Sequence, residues 1–162
     1  MLFMYEDNTM KIVFVCTGNT CRSPMAEALM KAKTNSENID IQVDSCGTGV
    51  YESESVNTKA INALATLGIK DFEHKSRQLT AQDIYSADIV LTMTQQQKLS
   101  ITKVYSEYKY KIFTISEYTR DSKDDVTDPY GKSQIFYNFC VNEISKLVDE
   151  LFEIVKEQMG HI

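Results

Sequence analysis

Residues 11–15, Lys-Ile-Val-Phe-Val, form an apolar, β-branched run, the pattern of a strand buried on both faces. After a turn at 16–22, Ser23 followed by Pro24 reads as the N-cap and first position of a helix. In it Met25, Ala28, Leu29 and Ala32 recur at helical spacing. Ile41–Ser45 reads as a second strand. Asn57 opens another helix, with Ala60, Ile61, Leu64 and Leu67 on one face and Gly68 as its stop. Thr80–Ala87 predicts a short helix and Asp88–Met93 a third buried strand. Thr94 and Gln97 form a capping box for the helix that follows. Lys111–Ile115 is a fourth strand. Over 134–158 the pattern is that of a long amphipathic helix, with Phe136, Phe139, Ile144, Leu147, Leu151 and Val155 expected inward.

Strands that alternate with helices predict an α/β fold, a parallel sheet covered on both faces. Such sheets bind ligands beyond the carboxyl ends of their strands, at helix N-termini. The turn leaving the first strand is therefore where chemistry is expected.

Composition narrows the picture. The 162 residues are 43% hydrophobic and 25% charged, as in one soluble globular domain, and show no repeat or low-complexity linker. The expected division is an N-terminal extension over 1–9, ahead of Met10, and a single domain over 10–162. No apolar run approaches the roughly 20 residues of a membrane span, and residues 1–9 are too short and acidic for a signal peptide. The net charge of −6 argues against nucleic acid as the main partner. Four cysteines make no C-x-x-C pair, and His74 and His161 lie far apart, so zinc-ribbon spacing is absent. Free thiols in a reducing cytoplasm are the expected state.

The turn reads Cys16-Thr17-Gly18-Asn19-Thr20-Cys21-Arg22-Ser23. A phosphoryl group presents three charged oxygens and needs several donors converging on one point. A tight loop with inward N–H groups at a helix N-terminus provides them. Gly18 permits the backbone curl, and Asn19 either takes a left-handed conformation or locks the loop with its side chain. Arg22 offers a planar fork for two phosphate oxygens. A cysteine at a helix N-terminus beside a guanidinium is favoured as the thiolate, which places Cys16 for in-line attack. Ser23 could stabilise that thiolate as a leaving group. The leaving group of the substrate needs a proton donor. The loop Val126-Thr-Asp128-Pro129-Tyr130-Gly131 supplies a carboxyl at the same sheet edge, with Pro129 holding Asp128 extended.

Together these residues resemble the low-molecular-weight protein tyrosine phosphatase family, from Lys11 to the C-terminal helix. The most specific matches are Val-Cys16-Thr-Gly-Asn-Thr-Cys21-Arg22-Ser23-Pro and Asp128-Pro-Tyr. The resemblance implies a four-stranded parallel sheet in a three-layer, Rossmann-like sandwich, with no metal or cofactor. It implies Cys16 as nucleophile, Arg22 as phosphate ligand, and Asp128 as general acid and then base. It also implies that Asn19, Ser23, Ser45 and His74 form a network supporting the loop, and that Tyr51 and Tyr130 wall the substrate cleft. The stretch Glu52-Ser-Glu-Ser-Val departs from the family in lacking its usual prolines, and Cys46 replaces a frequent alanine.

Thr20 bears on the substrate. Tyrosine-directed members usually carry an aliphatic residue there, whereas a hydroxyl suits a polar, planar guanidine. Cys-Thr-Gly-Asn-Thr-Cys-Arg-Ser resembles the protein arginine phosphatase branch, so phosphorylated proteins, with phosphoarginine favoured over phosphotyrosine, are the expected substrates. Cys21 lies near enough to capture an oxidised Cys16. An arsenate reductase of the same fold needs further redox cysteines, and none occurs between Cys46 and Cys140. An inactive phosphate-binding module would typically have lost the nucleophile, arginine or acid.

Overall fold

A computed structural model describes residues 9–160. Apart from Thr9, the expected extension over 1–9 lies outside the described residues. Four parallel strands, β1 (Met10–Cys16), β2 (Ile41–Gly47), β3 (Ile89–Thr92) and β4 (Ile112–Thr114), form one sheet in the order β2-β1-β3-β4. Register sets Val15 beside Cys46 on one side and Thr92 on the other. The chain leaves β1 toward β2 on one flank and reaches β3 on the other. The carboxyl end of β1 is therefore the switch point at which open α/β sheets hold ligands.

The unbroken apolar run of β1 follows from burial on both faces. Ile12 and Phe14 join a core with α1 (Arg22–Glu37), α2 (Thr58–Thr66), α5 (Ile115–Arg120) and α6 (Gln134–Gln158). Val13 and Val15 face α3 (Ala81–Ser86) and α4 (Gln95–Val104) through Ile84, Ala87 and Ile101. This is the expected α/β sandwich.

Several local expectations are corrected. α1 begins at Arg22, with Cys21 at its N-cap and no side-chain cap, so Ser23 lies inside the first turn. Pro24 is tolerated there because the first N–H groups of a helix have no intrahelical partner. In α2, Asn57 caps by accepting from Lys59 N at 2.9 Å and Gly68 follows with φ 80°. Ala63 joins Ala60 and Leu64 inside, while Leu67 is exposed.

Lys111 closes a 3-10 turn, Ser106–Lys111, and Ile115 opens α5, leaving β4 three residues long. α5 was legible as a Thr114/Glu117 capping box. α6 has its predicted extent, but Phe136 and Phe139 are 50% and 70% exposed. Its buried stripe runs through Tyr137, Val141, Ile144, Val148, Leu151 and Val155. Phe139 lies about 200° around the helix from Tyr137, on the opposite face. Phe136 sits on the flank, with Lys132 Nζ 5.1 Å from its ring centre.

Candidate active site

At the carboxyl end of β1 the backbone curls from Cys16 to Arg22 and enters α1. Asn19 makes the curl possible by taking φ 55°, a left-handed conformation that Asn tolerates better than most residues. This is one of the two roles expected of Asn19, while Gly18, expected to permit the curl, takes no such angle. A Cβ there would meet only Thr20 Oγ1 at 3.8 Å, so its place is in the cavity lining. Asn19 N donates to Cys16 Sγ at 3.2 Å, and Ser23 Oγ lies 2.9 Å from the same sulfur.

The Asn19 side chain then holds the whole curl. Its Nδ2 donates to Ser23 Oγ (2.8 Å) and Ser45 Oγ (3.0 Å). Its Oδ1 accepts from Arg77 N (3.1 Å) and pairs with His74 Nε2 (2.7 Å). Because Ser23 Oγ accepts from Asn19, its own proton is left to point at Cys16 Sγ or at the more distant Cys46 O. Burial pushes His74 below the ordinary imidazole value, opposed by the Glu27 carboxylate 3.6 Å from Nδ1. The predicted group of Asn19, Ser23, Ser45 and His74 is thus contiguous.

An outer frame, missed in the sequence, surrounds it. Thr48 N and Gly49 N donate to Cys16 O and Thr17 O, each at 3.0 Å. Gly47 passes so close that a Cβ would stand 2.4 Å from Thr17 O and 2.6 Å from Val50 Cγ2. Gln97 Nε2 donates to Thr17 Oγ1 (3.1 Å), and Asn57 N to Thr20 O (2.9 Å). Cys46-Gly47-Thr48-Gly49, small residues at a strand's carboxyl end, was the one local signal for any of this.

Arg22 is 5% exposed; its Nη1 donates to Val126 O at 2.9 Å and its Nη2 lies 3.6 Å from Asp128 Oδ2. Val126 N donates to Met93 O at 2.9 Å, fastening the Asp128 loop to the end of β3. Asp128 Oδ1 accepts from Tyr130 N at 3.1 Å. A cavity of about 500 Å³ joins Cys16, Thr20, Arg22 and Asp128, with Tyr51 and Tyr130 exposed along it. Glu52 and Glu54 line it too.

Three further thiols are buried like that of Cys16. Burial pushes Cys21 up, against hydrogen bonds from Tyr137 OH (3.5 Å) and Thr20. Burial also raises Cys46, and pushes Cys140 up to about 12. No disulfide joins any of the four, all of which are free. Among the described residues no helix is long and apolar enough to cross a membrane.

Fold and site together are those of a cysteine-dependent phosphatase. The family model for low molecular weight phosphotyrosine protein phosphatase matches residues 11–161, and the chain belongs to that family. The protein-arginine-phosphatase of Bacillus subtilis is 40% identical over 148 residues, 91% of this chain and 98% of that protein. A solved structure of the YwlE arginine phosphatase, a cysteine-to-serine mutant with a phosphorylated active site serine, is 37% identical with a TM-score of 0.87. The match covers 94% of this chain and all (100%) of that one. The low molecular weight protein tyrosine phosphatase from T. tengcongensis is 39% identical with a TM-score of 0.85, covering 90% and 99% of the two chains. Relatives named for arginine and for tyrosine are thus about equally similar, and overall identity does not choose between them.

Proposed function

We propose that this protein hydrolyses phosphorylated protein side chains through a cysteinyl-phosphate, with phosphoarginine as its favoured substrate. The observation that carries the reading is the convergence of Cys16 and Arg22, from one loop, with Asp128, from a loop more than 100 positions away in sequence, on one cavity. In the first step Cys16 Sγ, as the thiolate, attacks phosphorus in line. The S–P bond forms as the P–N bond breaks, and Asp128, as the acid, gives the leaving nitrogen its proton. Arg22 and the N–H groups of loop 17–22 hold the three phosphoryl oxygens. In the second step Asp128, now a carboxylate, takes a proton from water while that water attacks phosphorus. The S–P bond breaks, inorganic phosphate is released, and Ser23 Oγ–H stabilises the returning thiolate.

Each step uses the chain's own residues. The phosphorylated serine of the YwlE mutant supports a phosphoenzyme intermediate. Thr20 supports phosphoarginine, because a hydroxyl-bearing residue lines the cavity where an aliphatic side chain would favour a phenyl ring. The arginine-phosphatase relative agrees. Phosphotyrosine is the second reading, and the exposed Tyr51 and Tyr130 rings along the cavity favour it. Residues 10–162 would act as one phosphatase domain, and four free thiols suit the cytoplasm.

The test compares phosphate release from a phosphoarginine peptide and a phosphotyrosine peptide beside Cys16→Ser and Asp128→Asn variants. Turnover that prefers phosphoarginine and disappears in Cys16→Ser is expected. A preference for phosphotyrosine would overturn the substrate assignment, and turnover by Cys16→Ser would overturn the mechanism.

A further inference from the structure

Three capping boxes start helices among the described residues, and they differ in one atom type. Thr80 pairs with Asp83 and Thr114 with Glu117, both carboxylates, whereas Thr94 pairs with the amide of Gln97. Either group serves the cap itself, since only an oxygen acceptor is needed. Gln97 Oε1 does that work, accepting from Met93 N and Thr94 N at 3.0 Å each. Two backbone donors fix the amide's orientation, so its NH2 must face the other way. There Nε2 donates to Thr17 Oγ1 at 3.1 Å, across 80 positions of sequence. A carboxylate at this position has no donor to give.

The partners of that one buried side chain lie on both halves of the site. Thr17 follows the nucleophile directly, and its carbonyl is held from the β2 side by Gly49 N. Gln97 grips the same residue from the β3 side. Met93, whose N–H is shared between Val15 O (3.0 Å) and Gln97 Oε1, presents its carbonyl to Val126 N at 2.9 Å. Val126 O in turn accepts from Arg22 Nη1, and Asp128 is two residues further on. Gln97 thus joins the loop that bears the thiolate to the turn from which the acid loop hangs.

We propose that Gln97 is a positioning residue that fixes the Cys16 loop relative to the Asp128 loop, acting through Thr17 on one side and Met93 on the other. The proposal rests on the reading of Cys16 as nucleophile and Asp128 as acid. Proton donation demands hydrogen-bond reach, and small misplacement is costly to it. Loss of the strut therefore affects most a substrate whose leaving group needs the acid.

The experiment is a double-mutant cycle of Gln97→Ala and Thr17→Val, with Thr17→Ser as the conservative variant. Rates are measured on phenyl phosphate, a poor leaving group, and p-nitrophenyl phosphate, a good one. Each single substitution is expected to lower kcat/KM for phenyl phosphate by about tenfold, and for p-nitrophenyl phosphate by clearly less. The double variant is expected to be no worse than the singles, and Thr17→Ser to restore the rate. Additive losses, or equal losses on both substrates, would overturn the proposal, as would an unchanged rate in folded Gln97→Ala. Should Gln97→Ala fail to fold, Thr17→Val leaves the cap intact and decides by its leaving-group dependence and its rescue by serine. Cys16→Ser and Asp128→Asn are run alongside. If either keeps wild-type rates, the underlying reading has failed rather than the strut.

Discussion

Asn19 and Gly47 set the active loop in opposite ways, one by the partners it collects and the other by what it lacks. Asn19 satisfies two donors and two acceptors from three different segments while holding a left-handed φ. Gly47 lets the end of β2 lie against Thr17 O, where a methyl group would stand 2.4 Å from a backbone oxygen. Backbone cannot swing away as a side chain can, so Gly47→Ala must push the loop off its β2 support. Since misplacement of about 1 Å is worth on the order of 100-fold in rate, kcat/KM for Gly47→Ala is expected to fall by about that factor. Steady-state kinetics on any good substrate check this. A folded variant with wild-type kcat/KM would show that the loop does not depend on this contact.

At the scale of elements, helix starts gather around the site because each strand of a parallel sheet delivers its chain to the same edge. The capping boxes of α3 and α5 are also ion-paired: Asp83 with Arg77 at 2.9 Å, Glu117 with Lys98 at 2.8 Å. Burial by itself would raise both carboxyls. Arg77 and Thr80 at the one, and Lys98, Gln95 and Thr114 N at the other, outweigh it and hold both below their ordinary values of 3.8 and 4.5. A carboxyl depressed in the folded state contributes stability above its unfolded value and loses it as the pH falls. The melting temperature is therefore expected to drop as pH is lowered from about 5 to about 3. Asp83→Asn and Glu117→Gln should each lower it at neutral pH and flatten the descent. Thermal melts across that range decide the matter; variants with the wild-type slope would place the acid sensitivity elsewhere.

Over the whole molecule, α6 ties the fold together by packing its buried stripe under the β1 face that carries Ile12 and Phe14. Leu151 is fully buried there, so Leu151→Ala is expected to cost about 3 kcal/mol. Phe139→Ala, on the solvent face, should cost less than about 0.5 kcal/mol. Urea midpoints with an unchanged m-value measure both, and equal costs would contradict the facing of α6. The periodicity around Phe136 and Phe139 misled because an exposed aromatic at helical spacing looks like core until the helix has a neighbour.

What the sequence by itself determined is whatever is local along the chain. Strand and helix order follows from apolar periodicity. The candidate loop was legible because Cys16 to Ser23 is contiguous, and Asp128 because a Pro-stiffened turn sits at the predicted sheet edge. The tertiary structure alone decided that Asn19 does both things open to it, taking the left-handed turn and locking the loop, and that Ser23 does not cap α1. It alone brought Gly47, Arg77, Gln97 and Tyr137 to the loop. Those partners meet because strand order and register bring distant segments to one edge. Such contacts depend on the balance of packing over the entire sheet, which no short window of residues contains.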